Sequence, residues 1–559
     1  MTDRLKSIIH HPYLSVTAVC ILAFFFGFCE KDQLMPWSYL YACCVGLLFD
    51  AYFCFVLKPF RKSSGNLFLY TILSLYLLFS IVIIRLLRDS ILLMFWLFAL
   101  QLVAMAVLLK LTDQLTEKHL LILLIAAGIM LRFVYVLYTN SNERQHDVGH
   151  WGGPDGHASY IEYWFQNGLR LPQFDVRSIW QFYHAPLHHW IMAGLLKLLT
   201  TAGMPYAAAC QALQILPLYY SSIILVVCYR LFRLLGLDGV PLLSSMTILC
   251  FHPTFVILGG SYNNDVLSIL FMMLSMLLTL KWLNHPDLEH ILPLAFTVGL
   301  GMMTKLSAWM VAPAIALMFL CKGIQVRKRW RSFLLQFTLF GLISIPLGLW
   351  WEIRNTIAYH VPITYIPMLS KTNPQYCGDM SVWKRLFDFS LGTPPYVYTA
   401  FTLHGGPYNE FNPTLTLIKT ALFDECKNGI TVIHFPSIAW TGPILFLFGS
   451  YLGIFCAGFF FVNIFRKNTI LCKTQRAFLF LFAITLLASY YLFCFQYPFS
   501  CTMNIRYCTP LIPLFSLGLG LHLKQSSGTK LHELLPKKLA IILVIGFAIF
   551  SCIVYTQVG

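Results

Sequence analysis

The stretch RQHDVGHWGGPDGHASYIEYW, Arg144 to Trp164, sets three His, two Asp and one Glu side by side just after an apolar run. Two of its acids, Asp147 and Asp155, are of the type that takes a proton from an attacking hydroxyl, and either suits the role. His146, His150 and His157 flank them, and Tyr160 follows. Further on, FYHAPLHHW at 182–190 brings His184, His188 and His189 together with Pro and aromatics, and GGSYNND at 259–265 brings Asn264 and Asp265. Asn264-Asp265 also reads as a helix start, the preferred reading for Asp265. Lys305, Glu352, Arg354 and Arg506 each fall at the end of an apolar run. Fixed cations suit phosphate, Arg through its forked donors and Lys as a point charge. The plain alternatives are a solvated loop and cations that snorkel to headgroups.

His and Asp are common zinc ligands, but His184, His188 and His189 have loop or i,i+4 spacing and no accompanying acid pattern such as HExxH. No metal and no cofactor is expected.

These groups must be positioned by a chain that is 58% hydrophobic and 11% charged, with a mean hydropathy of +0.70. That composition belongs to an integral membrane protein. A net charge of +16 would suggest nucleic acid in a soluble protein. Here the basic residues lie between apolar runs, where they set topology and meet anionic headgroups, so no nucleic-acid partner is expected. Most of the 17 cysteines lie inside apolar runs without metal-ligand spacing. No N-x-[ST] acceptor with x other than Pro occurs, which favours a bacterial plasma membrane over a glycosylating compartment.

A bilayer core of about 30 Å needs roughly 20 apolar residues per helix. That rule predicts an all-α polytopic bundle of roughly fifteen spans, near 12–29, 37–57, 67–84, 90–109, 120–138, 209–231, 240–258, 265–283, 290–304, 306–321, 333–351, 437–463, 477–495, 507–523 and 538–556. The short pair 290–304 and 306–321 reads as one hairpin of half-buried helices. Pro186–Leu199 is apolar but short, and fits an interfacial helix. With the N-terminus inside, the clusters KPFRK, KGIQVRKRWR and RKNTILCKTQR come out inside, and loops 139–208 and 352–436 come out outside. The chain then divides into an accessory bundle, 1–119, a working core, 120–523, and a last helix within 524–559.

In this order and topology the motifs resemble the GT-C glycosyltransferases, nearest the branch of protein O-mannosyltransferases and lipid A aminoarabinose transferases. In that branch an Asp-Glu pair just beyond a helix precedes Tyr-Ile, and His-Pro-Pro-Leu follows. Here Asp147-Val148, Ser159-Tyr160-Ile161 and His184-Ala185-Pro186-Leu187 take those places. Gly299 to Thr304-Lys305, Arg354-Asn355 and Arg506-Tyr507-x-x-Pro510-x-x-Pro513 continue the likeness, which spans about 120–520. The Glu after Asp147 is missing, which leaves Asp147 and Asp155 both open as the base.

The resemblance implies inverting transfer of one sugar from a polyprenyl phosphate-linked donor to a glycan, lipid or protein acceptor on the extracytoplasmic face. Arg506, Arg354 and Lys305 would hold the phosphate. His146, His150, His157, Tyr160, His184, His188, Asn264 and Asp265 would line the substrate site. A transporter or flippase is the rival of another class, although it should carry ionisable groups at mid-membrane. A lipid-linked polymer ligase, with a pyrophosphate donor, is the third reading.

Overall fold

The computed structural model describes residues 91–139, 147–325, 330–390, 410–424, 440–467, 469–525 and 531–556. The expected spans 12–29, 37–57 and 67–84, and His146, lie outside the described residues.

Among the described residues the chain is built of α-helices and short 3-10 turns, with one isolated β-bridge between Tyr376 and Phe499. In chain order the first helices are α1 (Ile91–Leu111), α2 (Glu117–Tyr138), α3 (Gly156–Asn167), α4 (Leu187–Thr201), α5 (Tyr206–Ala212) and α6 (Ile215–Leu234). They are followed by α7 (Gly239–Phe251), α8 (Pro253–Leu258), α9 (Asp265–Asn284), α10 (Leu288–Thr304), α11 (Ala312–Gln325) and α12 (Trp330–Tyr359). The last are α13 (Val382–Phe387), α14 (Pro413–Phe423), α15 (Thr441–Phe465), α16 (Lys473–Gln496), α17 (Leu511–Gln525) and α18 (Leu531–Tyr555).

Among the described residues eight helical stretches are long and apolar enough to cross a membrane: Glu117–Val136, Tyr206–Leu234, Asp265–Asn284, Leu306–Gln325, Trp330–Tyr359, Thr441–Phe465, Lys473–Gln496 and Lys537–Tyr555. Gly239–Phe251 and Leu288–Thr304 are apolar but shorter. The expected span 240–258 is broken, because Pro253 has no N–H to continue α7 and starts α8 at its first position. Of the expected hairpin of 290–304 with 306–321, only the 3-10 turn Leu306–Val311 packs back on α10. The extensive neighbours of α10 are α12 and α9, whereas α11 lies along α16. Loop 352–436 begins later than expected, since α12 runs on to Tyr359.

The break after α7 explains Arg132, which is fully buried in α2. Its Nε donates to Ser221 Oγ at 2.9 Å, Nη1 to the carbonyls of Gly128 (2.8 Å) and Cys250 (2.6 Å), and Nη2 to Leu249 O at 3.0 Å. A cation thus meets carbonyls that the end of α7 leaves without helical donors. Gly128 lets the two backbones approach, since a Cβ there would stand 2.8 Å from Cys250 Cβ.

The segment 147–208 is packed, not draped. Tyr160, Ile161, Trp164, Phe182 and Met192 form one buried cluster with Trp351 of α12. Trp351 Nε1 donates to Tyr183 O at 3.1 Å, and Tyr160 OH donates to His184 O at 3.1 Å. The helix predicted to lie at the interface is α4, which packs against α3. Residues of this lobe and of the later helices line one cavity together.

Candidate active site

Asp147 is presented by a tight loop. Its own φ is +54°, and its carbonyl accepts the His157 N–H at 3.0 Å while Val148 O accepts that of Ala158 at 2.8 Å. These bonds fold 147–156 back onto the start of α3. Gly156, at φ +90°, permits the closure, because a Cβ there would lie 2.4 Å from Val148 O.

Across the fold, Arg506 sits in a 3-10 turn, Ile505–Tyr507, ahead of α17, where Asn504 Oδ1 accepts the Arg506 N–H at 2.9 Å. Its Nη2 donates to Asp147 Oδ2 at 2.9 Å and to Tyr507 OH at 3.0 Å, and its Nη1 lies 3.9 Å from Asp265 Oδ2. Asp265 opens α9, where an acid faces the positive end of the helix dipole. The expectation that Asp265 serves chiefly as a cap is corrected. Asn264 is the cap residue, its side chain donating to Thr304 O at 2.9 Å, and the Asp265 carboxylate accepts from Lys305 Nζ. The Asp265 side chain is 3% exposed and that of Arg506 7%, against 38% for Asp147. The result is a chain of alternating charge, Lys305, Asp265, Arg506, Asp147, whose last member reaches open space.

These groups line a cavity of about 370 Å³, within the ~300–1,000 Å³ range of small-molecule sites. His157, His184, Tyr183, Glu352, Asn355 and Tyr507 share its wall, with Trp309, Tyr365, Phe493 and Tyr497 towards the helices. Of the residues expected at the site, Asp147, Lys305, Arg506, His157, His184 and Asp265 come together here.

The others do not. Asp155 precedes α3 without a side-chain capping bond and lies on the surface, as does His150. Tyr160 and His188 are buried behind the wall, with His188 Nε2 2.8 Å from Tyr262 O. Arg354 is turned from the cavity, donating through Nη1 to Asn355 Oδ1 at 2.7 Å and through Nη2 to Pro172 O, with Tyr359 beneath it at 5.0 Å. Its expected phosphate contact is corrected to a brace within the wall. Glu352, Asn355 and Tyr507 are the residues that reading by motif passed over as site residues. An acid and an amide three residues apart at the end of an apolar helix was the signal available.

The histidines form a buried stack, His157 Nδ1 lying 2.8 Å from His189 Nε2 and the rings of His157 and His184 5.7 Å apart. Burial is the main cause that holds His157 down at about 3, against the pull of Asp147, and His188 at about 4. His184 and His189 are also pushed well down by burial. The stack is therefore neutral at physiological pH, and the fixed positive charge of the cavity comes from Lys305 and Arg506. Among the described residues no group of three or more His, Cys, Asp or Glu is arranged to hold a metal ion.

Residues 183–351 match a family model described as dolichyl-phosphate-mannose-protein mannosyltransferase. No curated protein matches the chain. Solved structures resemble it at low identity. The apo oligosaccharyltransferase of Archaeoglobus fulgidus is 13% identical, with a TM-score of 0.45 over 79% of this chain and 57% of that one. The same organism's AglB with an inhibitory peptide and a dolichol-phosphate gives 13%, 0.44, 79% and 56%. ArnT from Cupriavidus metallidurans bound to undecaprenyl phosphate gives 13%, 0.43, 78% and 76%. The chain spans little more than half the length of the archaeal enzymes it resembles. From Tyr183 to Trp351, under a third of the chain, the sequence is similar to the family that this model describes.

Proposed function

We propose that the protein transfers one sugar from a polyprenyl phosphate-linked donor to an acceptor hydroxyl, with inversion, at the cavity that the 147–208 lobe helps to line. The observation that carries this is the ordered set Lys305, Asp265, Arg506 and Asp147, two cations held by a buried acid with a more exposed acid at the cavity mouth. Asp147 accepts the proton of the acceptor hydroxyl as its oxygen bonds to the anomeric carbon. The bond from that carbon to the phosphate oxygen breaks, and the electron pair leaves with polyprenyl phosphate. Arg506 and Lys305 stabilise that leaving group, and fixed charges aimed at developing charge need no reorganisation. The family described by the matching model uses a lipid-phosphate sugar by its name, which accords with this donor class.

The cavity faces the extracytoplasmic side in this reading. Glu352 lies 22 residues beyond the start of α12 at Trp330, about 33 Å along the helix, while Lys322 and Arg331 mark the other end. The positive end is the inner one.

The test is transfer of labelled sugar from a panel of short-chain polyprenyl phosphate donors by purified protein, with and without chelator. Asp147→Asn should lose about 10²–10⁴-fold in kcat. Asp155→Asn should keep wild-type turnover, and chelator should change nothing, since the phosphate leaving group is already ionised. Full turnover by Asp147→Asn would remove it as base. Labelled lipid crossing a liposome bilayer with no donor consumed would establish the transporter instead, and use of pyrophosphate donors alone would establish the polymer ligase.

A further inference from the structure

Glu352 has no use in that mechanism, yet it is built into the same cavity. The residue is 8% exposed and lines the wall, and among the described residues no donor reaches its buried Oε2. The nearby cations do not serve it: Lys305 and Arg506 are engaged by Asp265 and Asp147, and Arg354 on its own helix points to Pro172 O and Asn355 Oδ1. A buried carboxylate oxygen without a donor is costly, so a ligand that brings N–H or O–H groups is favoured there.

Asn355 stands three residues on, on the same face of α12, buried and lining the same wall. Arg354 Nη1 donates to its Oδ1, which fixes the amide so that Nδ2 is the end left to donate. The wall therefore offers an acceptor from Glu352 beside a donor from Asn355. A ring hydroxyl is both donor and acceptor, and neighbouring hydroxyls on a sugar match such a pair.

We infer that Glu352 and Asn355 form the subsite that reads the hydroxyls of the transferred sugar, with Arg354 holding Asn355 in register. The inference rests on the transferase reading and adds the residues that select the donor. A carboxylate accepts from two adjacent hydroxyls at once, so the subsite favours a donor with a vicinal diol facing α12. A site built to bond a hydroxyl rejects an analogue that lacks it far more strongly than an apolar pocket rejects a changed shape.

The experiment compares wild type, Glu352→Ala and Glu352→Gln in full-length detergent-purified protein, with the transferred polyprenyl phosphate sugar and its monodeoxy analogues as donors. In wild type, removal of one particular hydroxyl should lower kcat/KM by on the order of 100-fold, the worth of one hydrogen bond to a charged group. In Glu352→Ala the natural donor should fall by a similar factor, and the same deoxy donor should lose little more. Glu352→Gln, which keeps the volume and one acceptor oxygen, should lie between the two and serves if the alanine variant fails to fold. Binding of bare polyprenyl phosphate, which carries no sugar, should be unchanged in both variants. The subsite is overturned if the variants discriminate against each deoxy donor as wild type does, or if they lose bare polyprenyl phosphate binding in step with activity. Failure of the wild type to use any donor would overturn the transferase reading itself, and the subsite with it.

Discussion

Asp265 is the residue on which the charge chain turns, and Asp265→Asn separates what it does for stability from what it does for ligand. Its carboxylate accepts from Lys305 Nζ and lies 3.9 Å from Arg506 Nη1, with the side chain 3% exposed. Two unit charges about 4 Å apart attract by about 4 kcal/mol at an effective dielectric constant of ~20. Removing one partner of a buried pair costs about 3–5 kcal/mol, because the remaining charge is left uncompensated. The first turn of α9 also loses its acid, worth about 0.3–1 kcal/mol. Both cations border the cavity, where water reaches them in part, so the loss should sit at the low end, about 3 kcal/mol. Intrinsic tryptophan fluorescence during heating in detergent should show Tm lowered by roughly 2–3 °C. The same substitution frees Lys305 for an anion and leaves Arg506 held by Asp147 alone among the acids of the charge chain. Bare polyprenyl phosphate should then bind about tenfold more tightly, roughly 1.4 kcal/mol, and raise Tm more in the variant than in wild type. Turnover should still fall, because the released cation binds the ground state without being held for the leaving phosphate. A variant with wild-type Tm and wild-type affinity for polyprenyl phosphate would refute the clamp and the assignment of the two cations to phosphate.

The histidine stack predicts acid sensitivity. His157 and His188 are held neutral by burial with folded values of about 3 and about 4, below the unfolded value of about 6.5. Below pH 6.5 the unfolded chain binds protons that the native state does not, so stability falls as pH drops from 6.5 towards 4 and is fully retained above 6.5. The loss over that window is about 3 kcal/mol for His188, and Tm measured against pH should fall less steeply in His188→Gln; equal slopes would remove His188 as a source. Arg132→Met should cost about 2–4 kcal/mol and lower the yield of monodisperse protein, since the carbonyls of Leu249 and Cys250 lose their donor in an apolar setting. Arg132→Lys should recover only part of that, a point charge being unable to span the same carbonyls. Wild-type thermal stability in Arg132→Met would show that the break after α7 needs no cation.

The sequence by itself determined the long apolar helices, because the bilayer dictates them: a run of about 20 apolar residues has few other ways to satisfy its backbone in lipid. The span expected at 265–283 is α9, that at 477–495 lies within α16, and the short helix expected over Pro186–Leu199 is α4. Asp147, Lys305 and Arg506 were also legible as chemistry-bearing groups at the ends of apolar runs, by type and by charge. Their meeting was not. Asp147 and Arg506 stand 359 residues apart in the chain, and only the docking of the 147–208 lobe over the turn before α17 makes them neighbours.

Helix rotation was the second thing that only the tertiary structure decided. In a soluble helix the polar face marks the outside, but α12 is apolar towards lipid and towards protein alike, so periodicity does not say which of Glu352, Arg354 and Asn355 turns inward. Packing of Trp351 beneath the lobe fixes that rotation, facing Glu352 and Asn355 to the cavity and sending Arg354 to Pro172. The same holds for which of Asp147 and Asp155, alike by type, lines the cavity. The positive-φ turns at Asp147 and Gly156 bring the first to the cavity, while the second stays on the surface ahead of α3. Residue type and hydropathy fixed what each segment is, and long-range packing fixed which of its side chains meet.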